Sequence, residues 1–238
     1  MPDSAAVAEG YHQRQFVLPE GATEVIFVRH GASAPALPGQ PFPLLDGHGD
    51  PPLAPEGVAQ AEAVAQHLAR ENLSALFVTT LQRTHQTVAP LAERTGLQPA
   101  IVPDLREVSL GEWEGGEFRI RMAEGDPIAL RAVAEERWEV IPGAETMESL
   151  AQRVRAGIQA IVAHAGADVR VAAIVHGGVI GEICQQATGS RPFAFVHSDN
   201  TSISRIVVLA DGRWLLRTFN DTAHLAARAG AARSAAVS

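Results

Sequence analysis

Two histidines in this chain are each preceded by an apolar run and followed by glycine. Arg29-His30-Gly31 comes after Val25-Ile26-Phe27-Val28, and His176-Gly177-Gly178 comes after Ala172-Ala173-Ile174-Val175. A neutral imidazole can act as nucleophile, proton carrier or hydrogen-bond donor near neutral pH. A guanidinium beside it grips phosphate oxygens through paired N–H donors, and a glycine lets backbone approach closely. The helix expected to start after His176 offers backbone amides, Gly177 first, together with a dipole favourable to anions. Arg83 follows a third apolar run in Thr79-Thr80-Leu81-Gln82-Arg83. With Thr80 as N-cap, Arg83 falls in the first helical turn, where a cation is unfavourable unless an anion is bound nearby. Glu107 lies in a glycine-bracketed acidic loop beside Val108 and Leu110. Apolar neighbours raise a carboxyl's pKa and suit it to general-acid work. Each residue alone has an ordinary structural explanation. Together they describe a phosphate site, with Arg29, Arg83 and the two imidazoles around the anion and Glu107 able to donate a proton.

The elements that must position these groups alternate between strand and helix. Strands are expected near 24–28, 75–78, 100–102 and 169–175, helices over 56–71, 82–94, 145–165 and 178–187, and a hairpin over 202–209 and 213–219 around Asp211-Gly212. In the first helix, Val58, Ala61, Val64, Ala65 and Leu68 form one apolar face. The segment 34–55 is rich in proline and glycine and is expected to border the site as an irregular loop. The segment 112–144, charged over 112–140, reads as an inserted helical cap. The expected fold is an α/β three-layer sandwich with a mostly parallel central sheet and helices on both faces. It spans 23–222, between a flexible arm at 1–22 and an Ala-rich tail at 223–238. Open sheets of this kind bind ligands at the carboxyl ends of their strands, where both His-Gly pairs fall.

The ordered set VIFVRHG at 25–31, DPPLAPEGVAQA at 50–61, TTLQRTHQT at 79–87, LREVSLGEWEG at 105–115, PGAETMESLAQRV at 142–154 and VHGG at 175–178 resembles the histidine phosphatase superfamily, also called the phosphoglycerate mutase-like family. The resemblance implies that His30 becomes transiently phosphorylated. It also implies that Arg29, Arg83 and His176 form the phosphate pocket and that Glu107 is the proton donor. Many members carry polar residues where this chain has Ala32 and Ala36; the longer loop, with Phe42, Leu44, Leu45 and His48, is a candidate source of substituting contacts, while His48 and Asp46 read at least equally as stabilisers of turns.

Composition narrows the alternatives. The net charge is -8 and lysine is absent, which argues against nucleic acid or an anionic membrane as partner. The expected partner is a small phosphorylated substrate, and an exposed edge strand or apolar cap would support a homodimer. One cysteine, Cys184, precludes an internal disulfide, and the nine histidines lack metal-ligand spacing. No metal or other cofactor is expected, because cationic side chains can carry the electrostatic role. Residues 1–10 lack the basic and apolar regions of a signal peptide, so a cytoplasmic location is expected. Three functions compete: a phosphatase of small phosphomonoesters, a phosphoglycerate mutase, and a phosphate-binding module without turnover. The cap region has eight acids against five arginines when Arg106 is counted, which favours hydrolysis over a mutase's retention of a bisphosphate. Substrate identity has no readable code in the cap or the loop.

Overall fold

The structure, a computed structural model, describes residues 13–226. The greater part of the expected arm, 1–12, and the tail from 227 onward lie outside the described residues.

A six-stranded mixed sheet forms the middle layer, in the order β5-β4-β6-β1-β7-β8. Its strands are β1 (Thr23–Arg29), β4 (Ala75–Val78), β5 (Pro99–Ile101), β6 (Val169–Val175), β7 (Ile203–Val208) and β8 (Trp214–Asp221). The first four are mutually parallel, and β7 runs antiparallel to both β1 and β8. A two-stranded hairpin, β2 (Leu44–Leu45) with β3 (His48–Gly49), interrupts the loop after β1.

Strand side chains alternate between two cores, as the pleat requires. Ile26, Val28, Leu76, Val78 and Ile174 face α1 (Pro55–Leu68) and α2 (Gln82–Thr95). Val25, Phe27, Phe77, Val171 and Val175 face α5 (Met147–Ala165) and α6 (Gly177–Thr188). Because both faces are covered, β1 and β6 read as continuous apolar runs rather than alternating ones. The cap holds α3 (Glu117–Glu124) and α4 (Pro127–Glu135) and joins the second core through Trp113, Ala129, Ala132 and Trp138.

Two expectations from the sequence change. Val58 is 57 % exposed, and the buried face of α1 runs instead through Gly57, Ala61, Val64, Ala65 and Leu68. Gly57 replaces Val58 because α1 begins against backbone: a Cβ at Gly57 would lie 2.0 Å from the Ala32 carbonyl oxygen. Thr80 does not cap α2. The N-cap is Leu81, without a side-chain cap, and Asp50 from the preceding loop accepts the Gln82 amide at 2.9 Å.

Candidate active site

β1 and β6 pair in parallel with Arg29 opposite Val175, so each strand releases its histidine at the same level of the sheet. The His30 amide donates to the Val175 carbonyl at 3.0 Å, and the two rings stand 5.2 Å apart between centroids. On the His30 ring, Nδ1 donates to its neighbour's carbonyl, Gly31 O, at 2.8 Å. With Nδ1 protonated, the Nε2 lone pair is free for attack. Asn200 holds the His30 carbonyl through Nδ2 at 2.9 Å. Burial, with the charges of Arg83 and Arg29, holds His30 well below the usual imidazole pKa, so the ring is neutral at pH 7.

His176 is fully buried and is kept neutral by the same forces, burial first and then Arg83, His30 and Arg29. Its Nε2 lies 2.9 Å from the Thr79 hydroxyl. That hydroxyl already accepts from the Leu81 amide at 3.3 Å, and the Thr84 hydroxyl donates to the Leu81 carbonyl at 2.8 Å. The Thr79 proton can be directed to His176 Nε2 or to Thr84 Oγ1 at 3.3 Å; when it goes to His176, Nδ1 is left as the N–H donor. His176 Nδ1 is buried without a hydrogen-bond partner, as are Arg29 Nε and Arg83 Nε. Unpaired buried donors are costly, and three in one place match an anion's oxygens.

Arg29 donates through Nη1 to the Ser198 carbonyl, and Arg83 donates through Nη1 to the Gly49 carbonyl at 2.9 Å. Burial lowers both guanidinium pKa values, opposed by Glu107 with Asp199 for Arg29, and by Glu107 with Asp50 for Arg83. Glu107 faces both buried guanidiniums, and Asp50 pairs with Arg83 at 3.8 Å, so the two cations are partly compensated before an anion binds. Glu107 is held by two backbone amides, Val108 N to Oε1 at 3.0 Å and Gly178 N to Oε2 at 3.3 Å.

Arg29, His30, Arg83, Glu107 and Gly178 line one cavity of about 220 Å³, whose walls also include Phe42, His48 and Arg119. A profile of the histidine phosphatase superfamily (branch 1) matches residues 25–222, which include every one of these groups. The chain belongs to this superfamily.

Relatives within the histidine phosphatases carry more than one activity in their names. A "probable phosphoglycerate mutase GpmB" of Yersinia enterocolitica is 29 % identical over 219 residues, covering 85 % of this chain and 94 % of that protein. "Phosphoglycerate mutase-like protein 4" of Arabidopsis thaliana is 30 % identical over 209 residues, covering 85 % of this chain and 86 % of its own. A mycobacterial glucosyl-3-phosphoglycerate phosphatase structure superposes with a TM-score of 0.69 at 25 % identity, covering 84 % of this chain and all of that one.

Contacts around the site add detail that the sequence did not show. Gly31 gives close approach to protein backbone: a Cβ there would lie 2.5 Å from the Gly57 carbonyl oxygen. Gly177 packs against Arg29, where a Cβ would meet Nε at 3.4 Å. From the loop, Phe42 and His48 reach the cavity, whereas Leu44 and Leu45 are exposed on the hairpin. Asp46 pairs with Arg106 at 3.1 Å and accepts from His48 through its carbonyl. Arg119 had no role assignable from sequence. It stands at the cavity mouth, donating to the Ala34 carbonyl at 2.9 Å and the Ser33 hydroxyl at 2.8 Å. Thr79 also carried no signal beyond its position after a strand.

Proposed function

We propose that the protein is a phosphatase that hydrolyses a phosphomonoester through a phosphohistidine at His30 and needs no metal. The observation that carries this reading is the convergence of neutral His30 with the unpartnered buried nitrogens of Arg29, Arg83 and His176, beside the carboxyl of Glu107. His30 Nε2 attacks phosphorus, the P–O ester bond breaks, and Glu107 gives its proton to the departing alkoxide. Arg29, Arg83 and His176 hold the three non-bridging oxygens throughout. Water then attacks phosphorus, the P–N bond breaks and returns its electron pair to His30, and the Glu107 carboxylate accepts the water proton. Inorganic phosphate leaves.

Hydrolysis is favoured over mutase transfer by the pairing of the cap cations. Arg121 bonds Glu117 and Asp126, Arg131 faces Glu135, Arg137 bonds Glu139, and Arg191 bonds Glu136. Among the described cap-region arginines, Arg119 alone lines the phosphoryl cavity, too little charge to retain a bisphosphate against exchange.

The test is hydrolysis of an aryl phosphate in excess chelator by the native chain and by His30→Ala. Activity that survives chelation and is lost in the variant is the expected result. Equal activity in His30→Ala contradicts the reading.

A further inference from the structure

A row of aromatic rings leads away from the phosphoryl site. Trp113 and Phe118 lie 6.3 Å apart between centroids, Phe118 and Trp138 6.0 Å, and Trp138 and Phe193 4.6 Å. Only 5 % of the chain is aromatic, so four rings in one continuous row is a strong local enrichment. The row crosses a boundary between two cavities. Trp113 lines the phosphoryl cavity, Phe118 and Trp138 line both, and Phe193 lines a second chamber of about 790 Å³ beneath the cap.

Glu107 marks the direction in which a substrate must extend. His30 and Arg83 line only the first cavity, whereas Arg29, Glu107, Arg119 and Gly178 line both. The proton donor must touch the leaving oxygen, so the alcohol part of the ester emerges at this junction, where the second chamber opens. That chamber is poor in free positive charge. Arg191 is paired with Glu136, Asp199 adds a carboxylate, and Met122 and Val133 from the cap helices supply further apolar wall. With Arg29 engaged by the phosphoryl group, a second phosphate or carboxylate would find Arg119 and the His197 imidazole, whereas a flat apolar group would find three rings.

We propose that the substrate is a phosphomonoester of an aromatic alcohol, whose ring packs along Phe118, Trp138 and Phe193 while the phosphoryl group occupies the His30 site. The proposal rests on the assignment of His30 and Glu107 above. Hydrolysis would yield the free aromatic alcohol and inorganic phosphate, with the Glu107 proton on the alcohol oxygen.

Two ester pairs test it. 2-Phenylethyl phosphate and ethyl phosphate share a primary alkoxide leaving group and differ in the ring. Their phosphonate analogues report binding without turnover, through tryptophan fluorescence. The phenylethyl compounds are expected to show kcat/KM and affinity about 10- to 100-fold higher, the effect of burying one phenyl group. Phe193→Ala and Val133→Glu, both away from the reacting atoms, are expected to shrink that ratio about tenfold and leave ethyl phosphate turnover unchanged. Equal turnover and equal binding of each pair, or a ratio unchanged in both variants, overturns the aromatic site and leaves the hydrolase reading intact. Tighter phenylethylphosphonate binding without turnover of either ester supports the aromatic site and refutes the hydrolase reading.

Discussion

His30 and His176 meet ring to ring at 5.2 Å with an interplanar angle of 60°, because the two strands that carry them are paired in register up to the preceding residues, Arg29 and Val175. Neither ring can be protonated cheaply there. Both are buried, and each lies in the field of Arg83 and Arg29. The same arrangement that leaves His30 nucleophilic makes the site a liability in acid.

That liability predicts a pH dependence of stability. Both folded-state pKa values are depressed, so as pH falls below about 6.5 the unfolded chain binds protons that the folded chain refuses. Stability is therefore full above that pH and declines on acidification, by about 1.4 kcal/mol per pH unit for each histidine until its folded pKa is reached. Urea unfolding between pH 7 and pH 5.5 measures the slope. His176→Gln is expected to reduce it by about one histidine's share, and an unchanged slope would count against the neutral pair.

Glu107→Gln keeps the shape of the carboxyl and removes its proton chemistry. Alkyl phosphates, which need a protonated leaving oxygen, are expected to lose about 10²- to 10⁴-fold in kcat. 4-Nitrophenyl phosphate, whose leaving group departs as a stable anion, should lose much less. A uniform loss across both esters would assign Glu107 to phosphate positioning instead.

Thr79 is a positioning residue for His176. Removing its hydroxyl in Thr79→Val frees His176 Nε2 to carry the ring proton, which turns a lone pair of Nδ1 towards the phosphoryl oxygens. We expect kcat to fall about tenfold or more, with recovery in Thr79→Ser. Nitrogen NMR of the His176 ring reads the tautomer directly, and an unchanged tautomer in Thr79→Val would exclude this role.

Gly57→Ala tests the contact that fixes the loop after His30. The added methyl would lie 2.0 Å from the Ala32 carbonyl oxygen, so either α1 or the loop must shift. A destabilisation of about 1–3 kcal/mol, as in overpacked cores, is expected together with reduced turnover. Unaltered stability and activity would show that this contact is slack.

Much of this architecture was legible in the sequence because it follows from local chemistry. The strands 25–28 and 172–175 are apolar on both sides, which marks a covered parallel sheet, and a charged residue at the end of such a strand belongs to its ligand-binding edge. Arg29, His30 and His176 were readable for that reason, and Arg83 as a cation in the first turn of a helix. Contacts made across long sequence separations were not. The amide of Gln82 is capped by Asp50, 32 residues earlier, and Thr80 is merely a residue of the right type in the wrong turn. Val58 satisfies the helical period, yet glycine wins the buried position because only a residue without Cβ allows α1 to meet the Ala32 backbone. Arg119 was indistinguishable from the other cap arginines until their carboxylate partners were located. Hydrophobic periodicity reports burial against side chains and is blind to burial against backbone.

Mass spectrometry of rapidly quenched enzyme tests the central claim most directly. The chain would be mixed with an excess of a phosphomonoester, quenched in alkali within milliseconds and digested under conditions that preserve P–N bonds. An acid-labile phosphoryl group on His30, formed and consumed at rates compatible with kcat, is the predicted result. Turnover with no phosphohistidine, or with the phosphoryl group on another residue, would contradict the account.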